Sequence, residues 1–148
     1  MNLDEKWMQF AIKEAIKAKD IGEVPVGSVI VQNGQIIANA HNCPISKNDP
    51  TAHAEIEALR KAGEKLQNYR LPKTTLYVTL EPCSMCIGAM VHARIERIVF
   101  GAFDSKSGVC GSTANLLSES FLNHTVITSG GILEKDCKKI LQSFFKLR

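Results

Sequence analysis

Between Val24 and Ala102 the apolar residues alternate between strand-like and helix-like periods, and that order narrows the possible folds more than any other feature of the chain. The β-branched run Val24 to Val31, an Asn33-Gly34 pair and the segment QIIANAH predict an antiparallel hairpin. A helix through Ile56 and Leu59 towards Leu66 follows. Then come a short strand, Thr75 to Leu80, a helix from Cys83 through Met85, Ala89 and Met90 towards His92, and a buried strand, Arg97 to Ala102. A hairpin continued by β-α-β units, with helices that are apolar on one face, implies a three-layer α/β/α sandwich with a mixed central sheet.

The flanks fit that scheme. Met8, Ala11, Ile12, Ala15 and Ile16 form an apolar stripe that predicts a helix from Asp4 to Asp20. Asp49 is expected to cap a helix with Pro50 at its first position, which places His53 in the first turn. Asp104 to Gly111 reads as a Gly/Ser-rich loop, Ala114 to Glu119 as a weak helix, Thr125 to Thr128 as a last strand and Gly131 to Leu147 as a C-terminal helix. At 148 residues, 45% of them hydrophobic, the chain has the size and apolar content of one domain, residues 1–148.

No apolar run approaches the roughly 20 residues of a membrane helix, and MNLDEK at the start lacks the basic and apolar regions of a signal peptide. A soluble, cytoplasmic protein is expected. The five cysteines, two of them spaced C-x-x-C, then point to metal binding or redox work and away from a disulfide framework. The net charge of +3 permits nucleic-acid binding without requiring it.

Two segments carry chemistry. PTAHAEIEAL, from Pro50, and TLEPCSMCIGA, from Thr79, each open a helix after a sheet element, where sites gather in such folds. Cys83 and Cys86, at i and i+3, can aim both sulfurs at one zinc ion, and the helix N-terminus favours their thiolate forms. His53 is the third ligand. Three protein ligands leave a fourth position for water, the arrangement of a catalytic site. Glu55 is the candidate general base and acid beside that water. Its convergence with His53 does not follow from periodicity, because residues two apart in a helix differ by about 200° in direction.

HAE with PCSMC matches the H-x-E and P-C-x-x-C signature of the zinc nucleobase deaminases. The wider wording, EVPVG, HN, DPTAHAEI, NYRL, TLYVTLEPCSMCIGAM, VFGA, GS, NH and FF in order, resembles the bacterial tRNA adenosine deaminases over nearly the whole chain. This resemblance implies a cytidine-deaminase-like fold, a homodimer, and zinc-dependent hydrolytic conversion of adenosine to inosine at the wobble position of a tRNA anticodon stem-loop, with no organic cofactor. By position it implies that His53, Cys83 and Cys86 ligate zinc, that Glu55 moves protons and that Asn42 hydrogen-bonds the flipped base. Asp104, Lys106 and Phe145 are implied to hold the anticodon loop.

Two other functions share parts of this pattern. A free nucleobase or nucleoside deaminase, acting on guanine or cytosine, uses the same H-x-E and P-C-x-x-C core. A structural zinc module that only binds RNA or protein would need a fourth protein ligand, for which Cys43 and Cys110 are the candidates, and would leave Glu55 without a role. His41, His92 and His124 are expected to pack, hydrogen-bond or contact RNA, and Cys137 to fill core space.

Overall fold

A computed structural model describes residues 1–147. Helix α1 (Leu3–Asp20) leads into the hairpin of β1 (Gly27–Gln32) and β2 (Gln35–His41), and a single turn, α2 (Pro44–Lys47), precedes α3 (Ala54–Leu66). Strand β3 (Thr74–Leu80), α4 (Ser84–His92) and β4 (Arg97–Ala102) follow, then β5 (Ile127–Ser129) and α5 (Glu134–Lys146). The sheet order is β2-β1-β3-β4-β5. Strand β1 is antiparallel to both of its neighbours, whereas β3, β4 and β5 run parallel. The mixed sheet read from the sequence is present.

Alternation along the strands divides the core into two layers, as a pleated sheet covered on both faces requires. Ile30, Leu76, Val78, Ile98 and Phe100 face a layer with Ile56 and Ala58 of α3 and Ile87 and Met90 of α4. Val29, Val31, Tyr77 and Val99 face the opposite layer, with Met8 and Ala11 of α1 and Cys137 of α5. Helix α1 lies so close to β1 that a methyl group on Gly27 would overlap the backbone of Ala11 and Ala15, so only glycine fits there. At Gly101 the neighbour is the Cys137 sulfur, which fills core space as expected.

The topology brings one set of strand ends together. Gly27, the start of β1, pairs with His41, the end of β2, and Ser28 pairs with Val78 near the end of β3. The C-terminal ends of β2, β3 and β4 therefore share one edge of the sheet, and α3 and α4 both begin there. Ser28 Oγ donates to the carbonyl of Ala54 (2.7 Å), tying the first turn of α3 to β1.

Several boundaries differ from the sequence reading. Asp49 caps no helix: its Oδ1 accepts from the amide (2.9 Å) and hydroxyl (2.8 Å) of Thr51, forming a local turn that delays α3 to Ala54. His53 is thus the N-cap and lies outside the first turn. The segment Val24–Val26 precedes the strand, and Ala114 to Glu119 contains only a 3₁₀ turn at Leu116–Ser118. Strand β5 starts at Ile127, opposite Arg97 where β4 starts, and α5 waits for Glu134 because Gly131 (φ 85) and Leu133 (φ 52) take left-handed backbone. No helix among the described residues is long and apolar enough to cross a membrane.

Candidate active site

Cys83 caps α4 as His53 caps α3, and both have extended backbone, with ψ of 173° and 155°. Neither side chain makes a capping hydrogen bond, so both are free to turn towards each other. Cys86 follows in the first turn of α4, fully buried. His53 Nδ1 lies 3.7 Å from Cys83 Sγ and 3.6 Å from Cys86 Sγ, and the three donor atoms lie within 4.8 Å of one another. Bond lengths of about 2.0–2.1 Å to nitrogen and about 2.3 Å to sulfur give a tetrahedral N···S edge of about 3.6 Å. The donors stand at the spacing that a tetrahedral zinc ion needs. Among the described residues the cluster has three members, and the thiol of Cys43 is turned away towards Glu57 Oε1 (3.7 Å).

The extended backbone of His53 resolves the directional problem of H-x-E. Only Glu55 of the two is helical, so the 200° separation of helical neighbours does not apply to them. Both line one cavity of about 210 Å³, together with Cys83, Asn42, Asp104 and Ser107. Val24, Val26 and Leu80 provide apolar wall, and Glu81 completes the lining. Glu55 is only 4% exposed.

The electrostatics follow from burial and from the sulfur pair. Burial pushes the Glu55 carboxyl up to about 7, against the pull of its own backbone amide and of His53. The Cys83 thiol is lowered to about 4, chiefly because Cys86 donates to its sulfur, with His53 assisting against burial. That same contact, with burial, raises the Cys86 thiol, and contact with Cys83 raises His53. A coordinating cation favours the thiolate form of both sulfurs.

The remaining candidates separate. Asn42 is buried at the cavity wall and its amide N–H is bonded to Val26 O (2.9 Å), while its side chain has no partner among the described residues. Asp104 lines the cavity, yet its carboxylate also shapes its own loop, accepting from the amides of Lys106 (3.0 Å) and Ser107 (3.2 Å) and the hydroxyl of Ser107 (2.9 Å). Lys106 is exposed outside the cavity lining. Phe145 lies on α5, 54% exposed, in a groove with Lys138, Leu141, Gln142 and Lys146. Two of the other histidines have local tasks: His124 Nε2 meets Ile95 O (2.8 Å) and His41 Nδ1 meets Asn42 O (3.2 Å), whereas His92 is exposed.

Sequence reasoning missed Glu81. It is 2% exposed, and its carboxylate accepts from the amides of Asp104 (3.0 Å), Cys110 (2.9 Å) and Ser112 (3.1 Å) and from the Ser112 hydroxyl. Burial raises its carboxyl, but these donors outweigh burial and hold it below the ordinary carboxylate range. A charged residue placed between a buried strand and a ligand-bearing helix start was the available signal.

An α/β/α sandwich that presents an imidazole, a thiol and a buried carboxylate in one cavity, with a second thiol buried within reach of the imidazole, has the design of the hydrolytic nucleobase deaminases. The model of the MafB19-like deaminase family matches residues 2–148. A Haemophilus influenzae protein named tRNA-specific adenosine deaminase is 49% identical over 146 residues, covering 98% of this chain and 84% of its own length. A Bacillus subtilis protein of the same name is also 49% identical, covering 99% of this chain and 91% of its own. A solved structure from work on A-to-I editing by tRNA:A34 deaminases at the wobble position superposes with a TM-score of 0.90 at 42% identity, covering 92% of this chain and 99% of that one. The chain belongs to the family of the tRNA-specific adenosine deaminases, and its fold is the cytidine-deaminase-like one that the resemblance implies.

Proposed function

We propose that the protein deaminates adenosine to inosine at the wobble position of tRNA, using zinc held by His53 Nδ1 and the sulfurs of Cys83 and Cys86. The observation that carries this reading is the convergence of those three donors at a cavity that His53 and Cys83 line together with the buried Glu55 carboxylate. Zinc, when bound, would supply the Lewis acidity that lets water attack C6 of adenine near neutral pH. Glu55 takes the proton from that water and delivers it to ring N1, then carries a second proton to the departing amino group, so that adenosine and water become inosine and ammonia. Its carboxyl, raised by burial towards neutrality, is suited to both accepting and giving a proton.

Asn42 offers its unpartnered amide to the base. The lining of Val24, Val26 and Leu80 excludes water around it. A base inside a stacked loop cannot enter so small a cavity, so the nucleotide is turned out of its stack at a cost of a few kcal/mol. Asp104, Lys106 and Phe145 hold the anticodon loop and offset that cost, Lys106 by pairing with phosphate and Phe145 by offering an exposed ring to a base. The five unpaired thiols fit a reducing, cytoplasmic setting.

The salt dependence of turnover separates this reading from a free-base deaminase. Each phosphate neutralised on a single strand contributes about −0.7 to the slope of log affinity against log salt. Under subsaturating conditions kcat/KM for an adenosine-bearing anticodon stem-loop should fall as salt rises, with inosine detected by sequencing. Free adenosine, guanine and cytosine should be very poor substrates. Lys106→Ala should lower stem-loop kcat/KM and flatten the slope while the zinc content stays unchanged. Equal turnover of a free base, independent of salt, would overturn the tRNA reading.

The protein acts as a homodimer in this reading. Helices α3 and α4 expose a groove lined by Ile56, Leu59, Met85 and Ala89 and edged by Arg60 and Arg94, an apolar surface with a polar rim of the kind that a second copy covers. Sedimentation equilibrium should give twice the chain mass, and Leu59→Glu should shift it towards the monomer.

A further inference from the structure

We propose that Glu81 is a positioning residue for substrate binding: its buried carboxylate holds the loop of residues 104–112 in the shape that places Asp104 and Ser107 at the cavity mouth. The loop leaves the sheet at the end of β4; Val109 and Cys110 in its second half pack against the core, whereas its first half, with Ser105, Lys106 and Ser107 exposed, has no apolar anchor of its own. Its position is set instead by the turn that joins β3 to α4. Glu81 N donates to Ala102 O (2.8 Å) and Val109 N donates to Pro82 O (3.0 Å), so the two segments are strapped along their backbones. Within that strap the Glu81 side chain accepts four hydrogen bonds, three from backbone amides of the loop and one from the Ser112 hydroxyl. A side chain at Gly108 would collide with the carboxyl group and with the carbonyl of Asp104, so the loop closes over Glu81 only because glycine stands there.

The donor set makes the carboxylate irreplaceable by its amide. Oε1 faces the Asp104 amide and the Ser112 hydroxyl, and Oε2 faces the amides of Cys110 and Ser112. An ionised carboxylate accepts on both oxygens, whereas a glutamine presents N–H groups on one side. With its NH₂ towards Cys110 and Ser112, it confronts two amides. Turned the other way, it still confronts the Asp104 amide, even if the Ser112 hydroxyl rotates to accept. At least one buried backbone donor is left unpaired in either orientation, and the loop must open to hydrate it.

Glu81 touches no reacting atom in this account and acts through Asp104 and Ser107, so its loss should weaken substrate binding more than the chemical step. The test uses full-length, zinc-loaded Glu81→Gln. Amide exchange read by mass spectrometry should accelerate by about tenfold or more across residues 104–112 and stay unchanged in α3 and α4. KM for the stem-loop should rise by about tenfold, the equivalent of one hydrogen bond to a charged group, with kcat at saturation nearly unchanged and zinc still stoichiometric. Ser112→Ala, which removes one of the four donors at an exposed residue, should raise KM by a smaller factor and decides the matter if Glu81→Gln does not fold. Unchanged exchange and KM in either variant would overturn the proposal, as would loss of zinc together with kcat. The KM arm rests on the tRNA reading. A wild-type protein inactive on the stem-loop would overturn that reading, whereas the exchange arm tests the anchoring of the loop by itself.

Discussion

Glu55→Ala is expected to keep zinc and fold while losing deamination by about 10²–10⁴-fold, the range over which a positioned proton shuttle accelerates a reaction. Two proton transfers pass through this one carboxylate, so the loss should lie at the upper end. The fold should tolerate the change, because Glu55 lies against the cavity and makes no salt bridge with any of the described residues. Removing a buried acid whose carboxyl burial has pushed up to about 7 relieves a desolvation cost as well. Thermal melting, metal analysis and inosine formation on the same preparation separate the possibilities. Near-normal turnover would remove Glu55 from the chemistry, and loss of zinc would make it a ligand.

Cys86→Ser should have the opposite signature. The sulfur is fully buried in the first turn of α4, and a hydroxyl there is a poor zinc ligand that cannot easily ionise. Zinc should be lost, activity should disappear with it, and the melting temperature should fall, because metal binding free energy contributes to folding when the site exists only in the folded chain. Cys83→Ser should lose zinc too, with a smaller fall in melting temperature, since Cys83 is only half-buried. Chelation of the wild-type protein should reproduce the loss of activity and part of the loss of stability, and added zinc should restore both. Stoichiometric zinc in both serine variants would remove these cysteines from the site.

These two signatures also distinguish the enzyme from a structural zinc module. A closed structural site has a fourth protein ligand, and the cluster of described residues stops at three. Cys43 is engaged with Glu57, whose carboxylate is also paired with Lys47. A module of that kind would be indifferent to Glu55→Ala in every assay.

Much of the architecture was legible because it depends on local periodicity. The NG hairpin, the extent of α1 and the order of the main strands and helices to Ala102 appear as read, since each is encoded by residues a few positions apart. The turn α2 was not read, and the buried face of α1 is rotated from the stripe expected, with Ile16 exposed and Glu14 buried. The errors fall where local patterns compete. Asp49 and Pro50 carry a plausible helix start, but the Asp49 carboxylate is used by Thr51, two residues on, and the turn it makes moves the cap to His53. At the other end Ile132 and Leu133 have helix-compatible side chains, yet the left-handed backbone at Gly131 and Leu133 postpones α5 to Glu134.

The sequence by itself determined the chemistry available to this protein: an imidazole, two thiols and a carboxylate, each at a helix start where the positive end of the helix favours anionic ligands. Only the tertiary structure decided that these groups meet. His53 and Cys83 are thirty residues apart in the chain, and their donors come within 3.7 Å because β1 runs antiparallel to β2 and β3 and so gathers the strand ends on one edge. It also decided that His53 and Glu55 share a cavity, through an extended N-cap that no helical period describes. For the same reason the sequence could mark Glu81 as a charged residue beside a helix start but not show the loop it holds. Its donors lie 23 to 31 residues further along, and a carboxylate's partners at that separation are chosen by how the chain returns, not by its local pattern.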